Sequence, residues 1–194
     1  MELKYEIQDL FKTSVYKTTL SLDNKALTSY CLSLAKKDKG RIVSNVGGWQ
    51  SGDLQEDNDL LKDLFFNLRT HGNHFIKSLG ITNTLTLDNS WININGYKDT
   101  NQSHIHPGAI LSGVYYVQTP KDCGNIHFYH PAFTTFQFGW NELKNNGYNS
   151  YNSAEWFLPA IQGNLYIFPG LLYHRVEPNY NKKEKRISIS FNMY

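Results

Sequence analysis

The chain has 194 residues, of which 40% are apolar, so it is long enough to form one domain with its own core and too apolar for a disordered protein. The formal net charge is +2, and the chain has one dense basic run, at 182–185, which is too short for a nucleic-acid interface. The sequence lacks an apolar leader and any run of about 18 apolar residues, the length that a membrane span requires. We therefore expect a single domain over residues 1–194, a cytoplasmic location, and no nucleic-acid or membrane partner.

Helices are predicted in the first part of the chain. Asp23 can cap a helix that ends by Gly40, and a second helix runs from Asp59 to Gly80, with Gly72 as its weakest point. The apolar stripes of the two helices are formed by Leu27, Cys31 and Leu34, and then by Leu60, Leu61, Leu64, Phe65, Leu68, Phe75, Ile76 and Leu79. We expect both helices to cover one face of a sheet.

Strands are predicted after Gly80, where the apolar pattern changes to period two. The candidate strands are 84–87, 91–95, 110–118, 125–129, 164–168 and 187–194. Helices followed by a closing run of strands favour an α+β chain that is mainly β, with a sandwich or barrel.

An aromatic insert at 132–158 separates two of these strands. It is too aromatic for an ordinary loop and too broken by Gly and Asn for a regular helix. Both a lid over the site and an aromatic plug at one end of the barrel fit this composition.

The histidines are clustered. His104 and His106 are two apart, so both side chains can point into a barrel mouth if the segment is extended, and His174 lies before the last strand. Imidazoles suit iron, zinc, copper or nickel. A polar turn is the alternative for the first pair, and we expect His127 and His130 to form a hydrogen-bonded strand surface.

Arg186 opens the last strand, with Ser188 on the same face. A buried guanidinium requires an anionic partner, and this strand contains no acidic residue. A small dicarboxylate such as 2-oxoglutarate would satisfy Arg186 through paired hydrogen bonds, with the Ser188 hydroxyl completing the contact. The alternative is a salt bridge to Glu177 or Asp99. The two cysteines, Cys31 and Cys123, form no metal or redox motif and are expected to be buried free thiols.

Several segments, in this order and at this spacing, resemble the 2-oxoglutarate and iron(II)-dependent oxygenases of the prolyl-hydroxylase-like group. They are SNVGGWQS at 44–51, WIN at 91–93, HIHP at 104–107, SGVYYV at 112–117, FP at 168–169, His174, and RISISFN at 186–192. The resemblance implies a double-stranded β-helix, of the jelly-roll or cupin-like kind, with covering N-terminal helices. It also implies iron(II), and 2-oxoglutarate that chelates the metal while its far carboxylate meets Arg186. Asn93 and Tyr115 are then expected to face inward and hydrogen-bond 2-oxoglutarate.

The sequence departs from the wider superfamily at the iron ligands. The usual H-x-D or H-x-E is replaced by His104-Ile105-His106. Three ligand sets remain open: His104, His106 and His174 together; His106 and His174 with a vacant position; or a set completed by a remote carboxylate such as Asp99. We favour the first, with Arg186 as the fourth catalytic residue.

The resemblance implies a dioxygenase that hydroxylates a C–H bond and releases succinate and CO2. The substrate would be a prolyl or other peptide residue or a small metabolite, and the aromatic insert could mediate a homodimer. A cupin-like metal- or ligand-binding module without oxygenase activity is the alternative function.

Overall fold

The structure is a computed structural model, which describes residues 3–134, 139–140 and 142–194. Phe136 and Phe138 of the predicted aromatic insert lie outside these residues. The elements, in chain order, are β1 (Tyr16–Thr19), α1 (Asn24–Ala35), β2 (Asn45–Val46), β3 (Trp49–Gln50), α2 (Asp59–Ser78), β4 (Leu87–Asn95), β5 (Thr100–His104), β6 (Leu111–Gln118), β7 (Ile126–Tyr129), β8 (Glu155–Leu158), β9 (Asn164–Pro169), β10 (His174–Val176) and β11 (Arg186–Met193).

The strands form two antiparallel sheets. The six-stranded sheet has the order β1-β9-β6-β11-β4-β3, and the five-stranded sheet has the order β2-β5-β10-β7-β8. An apolar cluster joins β6 and β9 of the first sheet to β7 of the second, so these inner faces pack against each other. The prediction of a mainly β chain with a sandwich is confirmed.

The helices begin where capping residues satisfy their first amide groups. The Asp23 carboxylate accepts a hydrogen bond from the Ala26 amide at 2.9 Å, as predicted, and Asn58 accepts one from Leu61 at 3.0 Å. Helix α1 ends at Ala35, earlier than the predicted limit, and Gly40 lies in the following turn at φ +71°. Both helices pack their buried residues against the outer face of the six-stranded sheet, which confirms that they cover it.

Some strand predictions were wrong or incomplete. Residues 84–86 alternate like a strand but are not part of one, because Asn73 of α2 bonds both the amide and the carbonyl of Leu85, at 2.7 and 3.0 Å. Strands β1, β2, β3, β5, β8 and β10 were not among the predicted strands, and each has two to five residues. Runs this short carry too little periodicity to be recognised.

Two further expectations concern the cysteines and membrane spans. Cys31 and Cys123 are buried free thiols, as predicted. Within the residues that the structure describes, neither α1 nor α2 has the length and apolar content that a membrane crossing needs.

Candidate active site

Three histidines come together on the inner side of the five-stranded sheet. His104 is the last residue of β5 and His174 the first of β10, and the two are direct partners in the antiparallel register. His106 lies two residues beyond the end of β5, so His104 is on the strand and His106 is in the segment that follows it. Its amide donates a hydrogen bond to the carbonyl of Gly170 at 2.8 Å, which ties it to the turn before β10.

The three rings are close enough to share one ion. One ligand atom from each of His104, His106 and His174 lies within 4.8 Å of the others, and the ring centroids are 4.3–5.2 Å apart. Nδ1 of His104 is 2.6 Å from the Gln102 carbonyl, and Nδ1 of His174 is 2.7 Å from the Leu172 carbonyl. A carbonyl can only accept, so Nδ1 carries the hydrogen and Nε2 keeps its lone pair in both rings.

The site favours neutral imidazoles. Burial, assisted by the nearby histidines, lowers the pKa of His174 to about 3 and that of His106 to about 4, and burial also lowers the pKa of His104. In the described part of the chain, no acidic residue joins this cluster. Asp99 instead accepts a hydrogen bond from the Gly96 amide at 2.7 Å, in a turn.

A cavity between the sheets extends from the histidines to Arg186. Arg186 is 1% exposed, and its Nη1 donates hydrogen bonds to the carbonyl oxygens of Cys123 and Glu177. Nη2 has no hydrogen-bond partner among the described residues. Burial lowers the pKa of the guanidinium.

The alternative salt bridges of Arg186 are not formed among the described residues. The Glu177 carboxylate lies 2.9 Å from the Asn125 amide and 2.8 Å from Nε2 of His127, and it is thereby engaged elsewhere. The cavity therefore contains a buried cation with an unused donor.

Other polar groups around the cavity also lack partners. Ser188 and Asn93 line the cavity, as predicted, and the Asn93 side chain donates to the Ser190 hydroxyl at 3.1 Å. The side-chain oxygens of Asn93, Asn95 and Tyr116 are buried without a hydrogen-bond partner in the described chain. Unpaired polar groups are costly in an interior, so this set fits a polar ligand.

The prediction that Tyr115 faces the cavity was wrong by one residue. Its hydroxyl donates to Asn24 of α1 at 2.8 Å, on the helix-covered side of the sheet. Tyr116 lines the cavity and is the register partner of Ser188. Since β6 is apolar on both faces, periodicity could not decide which tyrosine points inward, but pairing with Ser188 would have done so.

His127 and His130 lie away from the three-histidine cluster. His127 is on the outer face of the five-stranded sheet, 3.2 Å from the Glu155 carboxylate and stacked on Phe157 with ring centroids 5.6 Å apart. His130 accepts a hydrogen bond from the Ala132 amide at 2.9 Å. The prediction of a hydrogen-bonded strand surface is confirmed for His127, whereas His130 lies just beyond the end of β7.

Comparisons with known proteins identify a family and a fold. Residues 89–192 match the family model described as "Putative 2OG-Fe(II) oxygenase", and no curated protein sequence gives a significant match. Among solved structures, a prolyl-4-hydroxylase of Pseudomonas putida is similar with a TM-score of 0.66 and 12% identity, over 93% of this chain and 92% of that one.

Two further solved structures share the architecture. A prolyl hydroxylase of Trichoplax adhaerens, in complex with a peptide fragment of hypoxia inducible factor, has a TM-score of 0.59 and 15% identity, over 93% of this chain and 83% of that one. HygX of Streptomyces hygroscopicus, with nickel and 2-oxoglutarate bound, has a TM-score of 0.60 and 10% identity, over 93% and 82% of the two chains. The prediction of a double-stranded β-helix with covering helices is confirmed.

Proposed function

Because the chain belongs to the 2-oxoglutarate and iron(II)-dependent oxygenase family, we propose that its three-histidine cluster holds the iron and that the cavity beyond it holds 2-oxoglutarate. The protein is an enzyme that uses iron(II) and 2-oxoglutarate. The family membership favours oxygenase activity over the alternative of a cupin-like metal- or ligand-binding module. The observation that carries the assignment of residues is the buried guanidinium of Arg186, whose Nη2 is unpaired within the described chain.

The donor set fits a first-row divalent metal. His104, His106 and His174 offer three neutral nitrogens, and two of them are oriented by backbone carbonyls that bond the opposite ring nitrogen. Iron(II) held by these three ligands would keep coordination positions open and would supply the redox chemistry with dioxygen and 2-oxoglutarate. We favour this set over a two-histidine site with a vacant position and over a set completed by Asp99.

The far carboxylate of 2-oxoglutarate is assigned to the other end of the cavity. Nη2 of Arg186 and the hydroxyl groups of Tyr116 and Ser188 can each donate a hydrogen bond to it. Such a carboxylate neutralises the buried cation and satisfies donors that are otherwise unpaired, so the binding free energy comes from groups already held in place. Asn93 lies beside them as a further polar contact.

The reaction that we propose inserts one oxygen atom of dioxygen into a substrate C–H bond to give an alcohol. The other oxygen atom enters 2-oxoglutarate, which loses CO2 and becomes succinate. The chain's residues position the co-substrate through Arg186 and exclude water by enclosing the cavity between the two sheets. The substrate is a residue of a peptide, such as proline, or a small metabolite.

We further propose that residues 1–194 act as one oxygenase domain in a reducing, cytoplasmic compartment, and that the chain can form a homodimer. The core shared by the two sheets supports a single domain. The free thiols of Cys31 and Cys123 support a reducing compartment. Exposed aromatic side chains in the insert, among them Tyr148 and Tyr151, could support a dimer.

Anaerobic titration with iron(II) and 2-oxoglutarate tests this function. Chelation of the iron by 2-oxoglutarate produces a visible metal-to-ligand charge-transfer band, which should appear in the wild-type protein. Arg186→Gln should abolish the band at equal ligand concentration, whereas Arg175→Gln should retain it, because Arg175 pairs with Glu155 on the outer face of the sheet. If the wild-type protein forms no band at saturating ligand, the proposed site is wrong.

A further inference from the structure

The orientation of Arg186 depends on two loops outside the sheets. Its Nη1 donates to the carbonyl oxygen of Cys123, in the loop between β6 and β7, and to that of Glu177, in the loop between β10 and β11. A guanidinium is planar, so two acceptors on Nη1 also fix the direction of Nη2. The donor that the proposed function assigns to 2-oxoglutarate is thus held in place by two backbone carbonyls.

The side chain of Glu177 joins the two loops. One carboxylate oxygen accepts a hydrogen bond from the Asn125 amide at 2.9 Å, and the other lies 2.8 Å from Nε2 of His127 on β7. An ionised carboxylate can only accept, so Nε2 of His127 carries the hydrogen and donates it. Glu177 is therefore bound to the opposite loop through its carboxylate and to Arg186 through its carbonyl.

A glycine allows the loops to approach each other at this point. Gly124 has φ +81°, and a Cβ atom there would lie 2.7 Å from the carbonyl oxygen of Pro178 and 2.8 Å from that of Glu177. Any side chain at Gly124 would therefore push away a carbonyl that Arg186 uses. The contact between the loops and the support of the guanidinium are the same feature of the structure.

His127 is itself held on the outer face of the five-stranded sheet. Its Nδ1 lies 3.2 Å from Oε2 of Glu155, and the same oxygen accepts a hydrogen bond from Arg175 at 2.9 Å. Phe157 stacks on the imidazole with ring centroids 5.6 Å apart. These contacts restrict the ring, so its Nε2 is presented to Glu177 from a fixed position.

We propose that Glu177 is a positioning residue for the binding of 2-oxoglutarate, and that His127 assists it from the outer face of the sheet. This inference rests on the proposed function, which assigns Nη2 of Arg186 to the far carboxylate. Neither Glu177 nor His127 is among the described residues that line the cavity. Their effect passes through the carbonyl of Glu177 to the guanidinium, so it concerns the affinity for 2-oxoglutarate and leaves the chemical step unchanged.

The negative charge of Glu177 would have the opposite effect on affinity. A carboxylate near Arg186 opposes the binding of an anionic ligand, so removal of that charge by itself should strengthen the binding of 2-oxoglutarate. Loss of a positioning side chain should weaken it. The sign of the change therefore distinguishes the two roles.

The affinity can be measured by anaerobic titration of the charge-transfer band with 2-oxoglutarate, and KM and kcat from succinate formation without added substrate. Glu177→Ala should raise the half-saturating concentration and the KM about tenfold, the effect of roughly one hydrogen bond to a charged group, and leave kcat almost unchanged. Glu177→Gln should restore the wild-type values. Its amide oxygen still accepts from Asn125, and the other tautomer of His127 accepts from its amide nitrogen.

Glu56→Ala is the matched control. The Glu56 carboxylate also accepts two hydrogen bonds, at 2.8 and 2.9 Å, but from Arg69 of α2. This variant should leave the affinity, KM and kcat unchanged. His127→Phe keeps an aromatic ring against Phe157 and removes the donor to Glu177, so it should raise the KM about threefold. It tests the proposal even if Glu177→Ala does not fold.

These readouts separate the two proposals. A half-saturating concentration in Glu177→Ala that equals that of Glu56→Ala, or lies below the wild-type value, would reject the positioning role. An equal rise in Glu177→Gln and Glu177→Ala would reject it as well. Absence of the band in the wild-type protein would reject the proposed function.

Discussion

The hydroxyl of Tyr116 is buried close to Arg186 and has no hydrogen-bond partner among the described residues. Burial raises the pKa of this phenol, so it stays protonated and can donate to an anion. The residue before it has a different task. Tyr115 ties β6 to α1 through its hydrogen bond to Asn24, on the opposite face of the same strand.

Substitution of the two tyrosines should separate ligand binding from stability. Tyr116→Phe should raise the KM for 2-oxoglutarate about tenfold, because a donor to the carboxylate is worth about 1.5 kcal/mol, and it should leave the free energy of unfolding almost unchanged. Tyr115→Phe should lower the free energy of unfolding by about 1 kcal/mol and leave that KM unchanged. Steady-state kinetics and urea denaturation measure both effects. An unchanged KM in Tyr116→Phe would remove Tyr116 from the binding site.

At the scale of elements, the packing of α2 on the six-stranded sheet depends on Gly72. A Cβ atom at this position would collide with Sδ of the buried Met193 on β11. Gly72 therefore allows close approach of helix and strand, although glycine lowers helix propensity by about 1 kcal/mol relative to alanine. What looks from sequence like a weak point in the helix is a packing requirement.

Gly72→Ala should lower the free energy of unfolding by about 1 kcal/mol, since overpacking costs about 1–3 kcal/mol and the gain in helix propensity offsets part of it. The same substitution in a Met193→Ala background should be neutral or stabilising, because the clash is then absent. Urea denaturation of the four proteins measures the coupling. Stabilisation by Gly72→Ala in the wild-type background would contradict this account.

At the scale of the whole molecule, the histidine cluster makes the stability of the metal-free protein depend on pH. The ordinary pKa of histidine is about 6.5, and that of His174 in the folded chain is about 3. Between these values the unfolded state binds the proton and the folded state does not. Folding stability is therefore lost as the pH falls from about 6.5 toward 3, and this group contributes no pH dependence above that range.

The free energy of unfolding of the metal-free protein should thus fall below pH 6.5, by about 1.4 kcal/mol per pH unit for His174 alone. In His174→Asn the free energy of unfolding should fall less steeply with pH, by about 1.4 kcal/mol per pH unit, because one titrating group is missing. Denaturation curves at pH 7, 6 and 5 in the presence of a chelator would show the difference. Equal slopes in the two proteins would mean that His174 titrates normally in the folded state.

Much of the architecture and of the site followed from sequence pattern. Helix α2 and the longer strands could be recognised because their apolar residues repeat over enough positions. The start of α1 could be recognised from its capping residue, Asp23. His104, His106 and His174 stood out by spacing and by resemblance, and Arg186 by the cost of burying a cation without a partner. The metal and co-substrate roles of these four residues remain proposals.

Other features depended on pairing between distant segments. Which of Tyr115 and Tyr116 faces the cavity is fixed by the register of β6 with β11, and the approach of His104 to His174 is fixed by the register of β5 with β10. Local sequence determines helices and long strands because their hydrogen bonds and apolar faces repeat within one segment. Only the tertiary structure decided that the three histidines form one cluster and that polar groups around Arg186 stay unpaired, because those positions depend on contacts between residues far apart in the chain.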